Sequence, residues 1–137
     1  MIELIIKVAV SIFLGYLIGY EREHQGKAVG TRTMSLIALG SALFVIMSPS
    51  MFNGDNSRIV AQVVSGIGFL GAGIIFKDGN TVRGLTTAAT IWCSAAIGCL
   101  CGFGLYNEAA IGTAGVLLVN VLFRYIKHKD KDKDNDD

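Results

Sequence analysis

Charged and hydroxyl residues gather in two short polar segments of an otherwise apolar sequence. Their side chains could pair charges, cap helices or bind an anion. The first segment contributes Glu21, Arg22, Glu23, Arg32 and Thr33, and the second contributes Lys77, Arg83, Thr86 and Thr87. In each segment a glycine and hydroxyl residues stand where a helix is predicted to begin, as Gly30-Thr-Arg-Thr and Gly84-Leu-Thr-Thr. Two helix N-termini beside Arg32 and Arg83 would form a mouth that favours anions.

The same residues have a simpler interpretation, which the sequence leaves open. Charges that flank membrane helices are held by lipid headgroups and by one another, and they need no ligand. Asp55 and Arg58, on the other side of the predicted bundle, are three positions apart. We interpret them as a structural ion pair.

A catalytic or cofactor site is not predicted. The sequence has no serine in a nucleophile-elbow setting, and no cysteine and histidine spaced with an orienting acid. Carboxylates ahead of the C-terminal tail fall at predicted helix ends or in loops: Glu3, Glu21, Glu23, Asp55, Asp78 and Glu108. Ion-coupled carriers place such groups at mid-membrane, so a single copy looks poorly equipped to conduct Mg²⁺. Whether any metal ion binds stays open.

One motif has the glycine spacing of a dinucleotide-binding site. Gly66-Ile-Gly68-Phe-Leu-Gly71 matches the dinucleotide fingerprint, which also requires a preceding strand and an acidic residue about 20 positions later. Here the glycines lie in an uncharged run, 59–76, and no acid follows at that offset. The run therefore predicts a helix rather than a phosphate-binding loop. A formal net charge of +1 also gives no reason to expect nucleic-acid binding.

The elements that position these residues are predicted to be membrane helices. The chain is 52% hydrophobic and 17% charged, with a mean hydropathy of +0.53. A bilayer core takes roughly 20 apolar residues per helix. Five segments fit: 4–20, 33–51, 59–76, 85–105 and 109–125. We expect an all-α bundle of about five transmembrane helices over residues 1–126, and a disordered, charged cytoplasmic tail over 127–137.

Small residues predict how these helices meet. The expected packing residues are Gly15, Gly19, Gly66, Gly68, Gly71, Gly73, Gly84, Gly98 and Gly102. Two of the spacings, Gly15 with Gly19 and Gly98 with Gly102, are Gly-xxx-Gly contact faces. Two such faces exceed what one bundle must bury, which predicts a homo-oligomer in the bilayer. Trp92, in mid-helix, is expected to pack against small residues or to line a cavity.

Lysine and arginine counts predict the orientation. The side that holds the first and third loops and the C-terminus carries ten of these residues, and the other side carries two, Lys7 and Arg58. The positive-inside rule then places the C-terminus in the cytoplasm and the N-terminus outside.

Three blocks of this sequence, 14–33, 58–73 and 84–104, resemble the transmembrane domain of the MgtC/SapB family of bacterial inner-membrane proteins. They include Gly-Tyr-Leu-Ile-Gly-Tyr-Glu-Arg-Glu-His, Ser-Gly-Ile-Gly-Phe-Leu-Gly-Ala-Gly and Gly-Leu-Thr-Thr-Ala-Ala-Thr-Ile-Trp, in the family's order. The resemblance implies a five-helix plasma-membrane protein with a cytoplasmic C-terminus. It places the family's motif residues at Glu21, Arg22, Arg32, Asp55, Arg58, Gly71, Thr86, Thr87 and Trp92.

The resemblance also implies a function. Family members are linked to adaptation to low magnesium, survival inside host cells and acid stress, and one studied role is inhibition of the membrane ATP synthase. We therefore expect a non-enzymatic protein that modulates a membrane partner during magnesium limitation or related stress. The alternative is an oligomeric transporter or channel for Mg²⁺ or another small solute. Better-known members continue into a folded cytoplasmic domain, and functions that need that domain are not expected of this sequence.

Overall fold

Five helices and one short hairpin make up the structure. The computed structural model describes the backbone of residues 1–51 and 56–133, and the side chains of 1–49 and 56–126. The elements are α1 (Ile2–His24), α2 (Thr31–Met51), α3 (Asn56–Ala72), β1 (Phe76–Asp78), β2 (Thr81–Arg83), α4 (Leu85–Phe103) and α5 (Tyr106–Lys133). The predicted all-α bundle is confirmed. Among the described residues, four helices (α1, α2, α4 and α5) are long and apolar enough to span a membrane.

Several boundaries differ from the predicted ones. Helix α1 continues through the charged residues to His24, because glutamate and arginine extend a helix as readily as they begin a loop. Helix α3 ends at Ala72 and has 17 residues, the lower limit for a span. Pro49 lies inside α2, two residues before its end. Helix α5 runs to Lys133, seven residues into the segment predicted to be disordered, and 134–137 lie outside the described residues.

The bend between α3 and α4 is an antiparallel β-hairpin. Phe76 pairs with Arg83, and Lys77 pairs with Val82. Gly79 turns the chain with a φ of +58°, which a glycine adopts without strain. Gly84 follows with a φ of +88°, and a side chain there would overlap with the carbonyl of Ile74. The hairpin therefore leads into α4 at a fixed angle.

Helix α2 packs closely against both α1 and α4, and a pair of glycines lies at each of these contacts. A Cβ on Gly15 would lie 2.7 Å from the carbonyl oxygen of Met34, and one on Gly19 would overlap with Thr31. On the other side of α2, a Cβ on Gly98 would overlap with Ala38, and one on Gly102 would meet Val45. Both pairs thus make helix contacts within one copy. The prediction of an oligomer assumed that these glycine faces would be free to contact a second copy, and they are not.

A small core lies where α1, α2 and α4 meet. Ile18, Met34 and Ile91 are almost completely buried there. The hydroxyl of Ser94 donates a hydrogen bond of 3.1 Å to the carbonyl of Met34. This contact ties α4 to α2 at a level where the surroundings are apolar. We call α1, α2 and α4 the inner trio.

Helices α3 and α5 lie outside the inner trio. On α3, Gly71 makes ordinary contact with Ala88, whereas a Cβ on Gly66 or Gly68 would meet nothing within 4 Å. Gly73 lies near only the carbonyls of its own segment, Phe69 and Leu70. Trp92 is 53% exposed on α4.

Candidate functional site

Four elements bring polar side chains together at one end of the bundle. The C-terminal end of α1 meets the beginnings of α2 and α4 and the second half of α5. We call this end the polar face. We call seven residues there the polar cluster, and they form three hydrogen-bonded groups: Arg22 with Thr87, Glu23 with Thr31, and Glu21 and Thr90 with Asn120.

Arg22 is the buried cation of the polar cluster. Its side chain is 2% exposed, and Nη2 donates a hydrogen bond of 2.9 Å to Oγ1 of Thr87. Its Nε atom is buried and has no acceptor among the described residues. Thr87 lies in the first turn of α4, whose free N–H groups carry positive partial charge. Arg22 therefore adds a second positive group at this helix start.

Glu21 links α1 to α5. Its Oε2 accepts a hydrogen bond of 3.2 Å from Nδ2 of Asn120, and its Oε1 accepts one from Gln25. The Asn120 amide also lies 3.4 Å from Oγ1 of Thr90 on α4. Thr90 in turn donates its hydroxyl proton to the carbonyl of Thr86. The Glu21 carboxylate near the end of α1 is thus hydrogen-bonded to the amide of Asn120 on α5, 99 positions later in the sequence.

Glu23 caps α2. Its Oε2 accepts hydrogen bonds from the backbone N–H of Thr31 at 3.0 Å and from the Thr31 hydroxyl at 2.8 Å. A Cβ on Gly30 would come within 2.6 Å of the same oxygen, so a larger residue there would push the carboxylate away from its position. The anion predicted for this helix start is therefore supplied by the chain itself. Arg32 and Thr33 follow Thr31 and are exposed.

The second polar segment contributes less to the cluster than the sequence predicted. Thr87 joins it, whereas Lys77, Arg83 and Thr86 have exposed side chains. Arg58 is exposed near the beginning of α3, at the opposite end of the bundle. Its predicted partner, Asp55, lies outside the described residues, so their ion pair stays a prediction.

Sequence reasoning missed two members of the cluster. Asn120 interrupts an apolar run, 116–123, and an amide in such a run needs a partner inside the bundle. That signal was available. Thr90 gave no comparable signal, because hydroxyl residues can satisfy themselves on their own helix. Among the described residues, no group of three His, Cys, Asp or Glu side chains is placed to hold a metal ion.

A second feature is an apolar groove of about 590 Å³ between α2 and α3. Its walls are aliphatic and aromatic, with a few polar side chains. We call it the α2–α3 groove, and its lining residues are Thr33, Leu36, Ile37, Gly40, Ser41, Phe44, Ile59, Gln62, Val63, Gly66, Ile67 and Leu70. Gly40 and Gly66 leave space that a side chain would fill.

Comparison with known proteins assigns the chain to a family. The model of the MgtC family matches residues 8–129, which include α2, α3 and α4, most of α1 and α5, and the polar cluster. The chain belongs to the MgtC family. Because four of its helices are also long and apolar enough to span a bilayer, it is a membrane protein.

Individual relatives agree with this assignment. The chain is 56% identical over 119 residues to Protein MgtC of Brucella abortus (strain 2308), covering 85% of this chain and 50% of the relative. It is 47% identical over 124 residues to Protein MgtC of Salmonella typhimurium (strain LT2), covering 90% and 54%. It is 49% identical over 133 residues to an uncharacterized protein of Synechocystis sp., covering 93% and 56%.

The chain spans about half the length of the curated relatives that it matches. No solved structure gives a significant match.

Proposed function

We propose that this chain is a non-enzymatic protein of a bacterial plasma membrane that modulates a membrane-protein partner during magnesium limitation or a related stress. It would cross the membrane several times, with the N-terminus outside and the polar face and C-terminus in the cytoplasm. The charge count and the family support this placement. The membrane ATP synthase is the candidate partner that the family resemblance brings forward.

The exposed β-hairpin carries the proposal. All six strand residues are exposed, and Phe76 is 65% exposed. A two-stranded hairpin without a covering layer is marginally stable in water. Its register puts Phe76 and Arg83 on one face and Val82 and Lys77 on the other. Each face thus combines one apolar and one cationic group, a mixture that a protein surface can cover.

The base of the hairpin is rigid, which suits a contact element. Gly84 is fitted against Ile74, and the first turn of α4 is held by the Arg22–Thr87 hydrogen bond. The polar cluster thereby fixes where the hairpin projects. Partner binding at the hairpin would meet a surface that is already in place and would lose little entropy.

Site-specific photocross-linking in living bacteria tests this proposal. A photoreactive residue at Val82 should give a protein adduct of reproducible mass in cells grown at low magnesium. The matched control is the same residue at Ile111, which is 73% exposed on the apolar part of α5. The same partner adduct at both positions, or no partner adduct at either, would contradict a partner at the hairpin, whereas an adduct with the mass of two copies would not bear on it.

A second measurement separates binding from folding. Phe76→Ala removes exposed apolar surface and leaves the inner trio untouched, so the variant should keep its thermal stability in detergent. We expect it to lose co-purification of the partner by about tenfold or more, as for an aromatic anchor at an interface. Unchanged co-purification would argue against the hairpin.

One observation favours the alternative, a transporter or channel. Thr87, Thr90 and Ser94 place three buried hydroxyls along one side of α4, and Glu21 and Asn120 lie beside them. Such a row can hydrate or coordinate a solute. Purified protein in liposomes decides between the two: Mg²⁺ or anion flux that Asn120→Leu abolishes would favour transport, and no flux is expected of a regulator.

A homo-oligomer also remains a proposal. Transport through helices of several copies would require one, whereas regulation through the hairpin would not. Cross-linking in native membranes, with a photoreactive residue at Ile111 on the outer face, would detect a second copy.

A further inference from the structure

We propose that the α2–α3 groove binds one acyl chain of an anionic phospholipid, whose headgroup lies at the polar face beside Arg32. This inference does not depend on the hairpin proposal. It assigns a ligand to a groove whose walls come from two helices and whose mouth reaches the charged end of the bundle.

The length of the groove fits one leaflet. It begins at Thr33 and Leu70, near the polar face, and ends at Phe44 and Ile59. Eleven helical residues separate Thr33 from Phe44, or about 16 Å along the axis. The hydrocarbon core of a bilayer is about 30 Å thick, so one leaflet contributes about 15 Å. A chain anchored at the polar face would therefore fill the groove and end near the bilayer midplane.

The volume of the groove is that of a small-ligand site. At about 590 Å³ it falls within the roughly 300–1,000 Å³ of pockets that bind small molecules. Its walls are mostly apolar, which suits a hydrocarbon chain. A helix of a partner or of a second copy is the competing occupant, and the tests below would reveal it as a change in oligomeric state.

Two glycines create the space. A Cβ on Gly40 or Gly66 would meet nothing within 4 Å, and both residues line the groove. Leu36 and Phe44 of α2 and Leu70 of α3 expose their side chains toward the surrounding bilayer. A chain lodged between them is held on two sides by protein, which a chain on a flat helix face is not.

Charge selects the headgroup. Arg32 is exposed and precedes Thr33, the residue at the mouth of the groove. The hairpin that follows α3 adds Lys77 and Arg83 at the same end, against one acid, Asp78. The carboxylate of Glu23 is already engaged with Thr31. Net positive charge at the mouth therefore favours a phosphatidylglycerol-type headgroup over a zwitterionic one.

Native mass spectrometry tests the groove. The protein is purified in mild detergent and given equal amounts of phosphatidylglycerol and phosphatidylethanolamine with the same chains. We expect one phosphatidylglycerol molecule to remain bound. Gly66→Leu fills the groove and should weaken that binding about tenfold, the effect of losing contacts with two or three methylenes.

Gly68→Leu is the matched control. It makes the same chemical change two positions away, where a side chain also meets nothing, but Gly68 does not line the groove. This variant should bind lipid as the parent protein does. Gly40→Leu, on the opposite wall, repeats the test if Gly66→Leu fails to fold. Equal lipid retention by Gly66→Leu and Gly68→Leu would overturn the proposal, as would a groove variant that changed the oligomeric state instead of lipid binding.

The headgroup is tested separately. Arg32→Gln should lower the preference for phosphatidylglycerol over phosphatidylethanolamine by about fivefold, the value of one cation near an anionic headgroup. Arg58→Gln, at the other end of the bundle, is the control and should leave the preference unchanged. No difference between these two variants, or no preference in the parent protein, would refute the anionic headgroup.

Discussion

Glycines on the inner trio and glycines on α3 have opposite surroundings. At Gly15, Gly19, Gly98 and Gly102, a missing side chain lets another backbone approach, and any larger residue would collide with it. At Gly66 and Gly68, the missing side chain is met by no protein atom within 4 Å. The same residue type thus closes one helix interface and keeps another surface open. The contrast divides the bundle into a packed scaffold and an accessible outer helix.

The largest effect is expected where glycine closes an interface. Gly98→Leu would force α4 away from Ala38 and break the Ser94–Met34 contact, at a cost of about 3 kcal/mol or more. Thermal unfolding in detergent should give a Tm far below that of the parent protein. Gly68→Leu is the control, and its Tm should change little. Similar losses in the two variants would erase the distinction between the two kinds of glycine.

A smaller effect, the coupling free energy between Glu21 and Asn120, tests whether α5 is packed as part of the scaffold. Asn120 is the polar residue through which α5 reaches Glu21 on α1 and Thr90 on α4. A double-mutant cycle with Glu21→Ala and Asn120→Ala should give a coupling free energy of about 0.6–1.7 kcal/mol, as for hydrogen bonds between membrane helices. The same cycle with Glu108→Ala in place of Glu21→Ala should give none. A coupling near zero for Glu21 would place α5 with the outer helix.

The smallest expected effect is a stabilisation, an increase in the free energy of unfolding. Gly66→Ala and Gly68→Ala should each stabilise the protein by about 0.5–1 kcal/mol, because alanine restricts the unfolded chain and meets no neighbour in the folded one. Gly102→Ala, which would meet Val45, should destabilise it. Reversible unfolding monitored by circular dichroism measures all three. Destabilisation by both α3 variants would mean that α3 packs more tightly than the structure indicates.

The sequence alone predicts the helices well, because apolar length and glycine spacing are local signals. It also identifies Arg22 and Thr87, which the structure joins. It does not predict which glycines are covered, since that depends on which helices become neighbours. For the same reason the exposed position of Trp92 and the contact between Glu21 and Asn120 could not be derived. The hairpin was missed because six residues carry too short a pattern to distinguish strands from a loop.

The Glu23–Thr31 contact has a consequence for assembly of the protein. It joins residues only eight positions apart, and the neighbouring contact of Gly19 with Thr31 is almost as local. The first two helices can therefore close on each other as soon as both have left the ribosome, before α4 is synthesised. The α1–α2 pair would then expose the surface formed by Ala38, Ala42 and Val45, against which α4 packs. Helix α4 could then pack against this surface through its complementary shape, and the Arg22–Thr87 hydrogen bond would form as it does so.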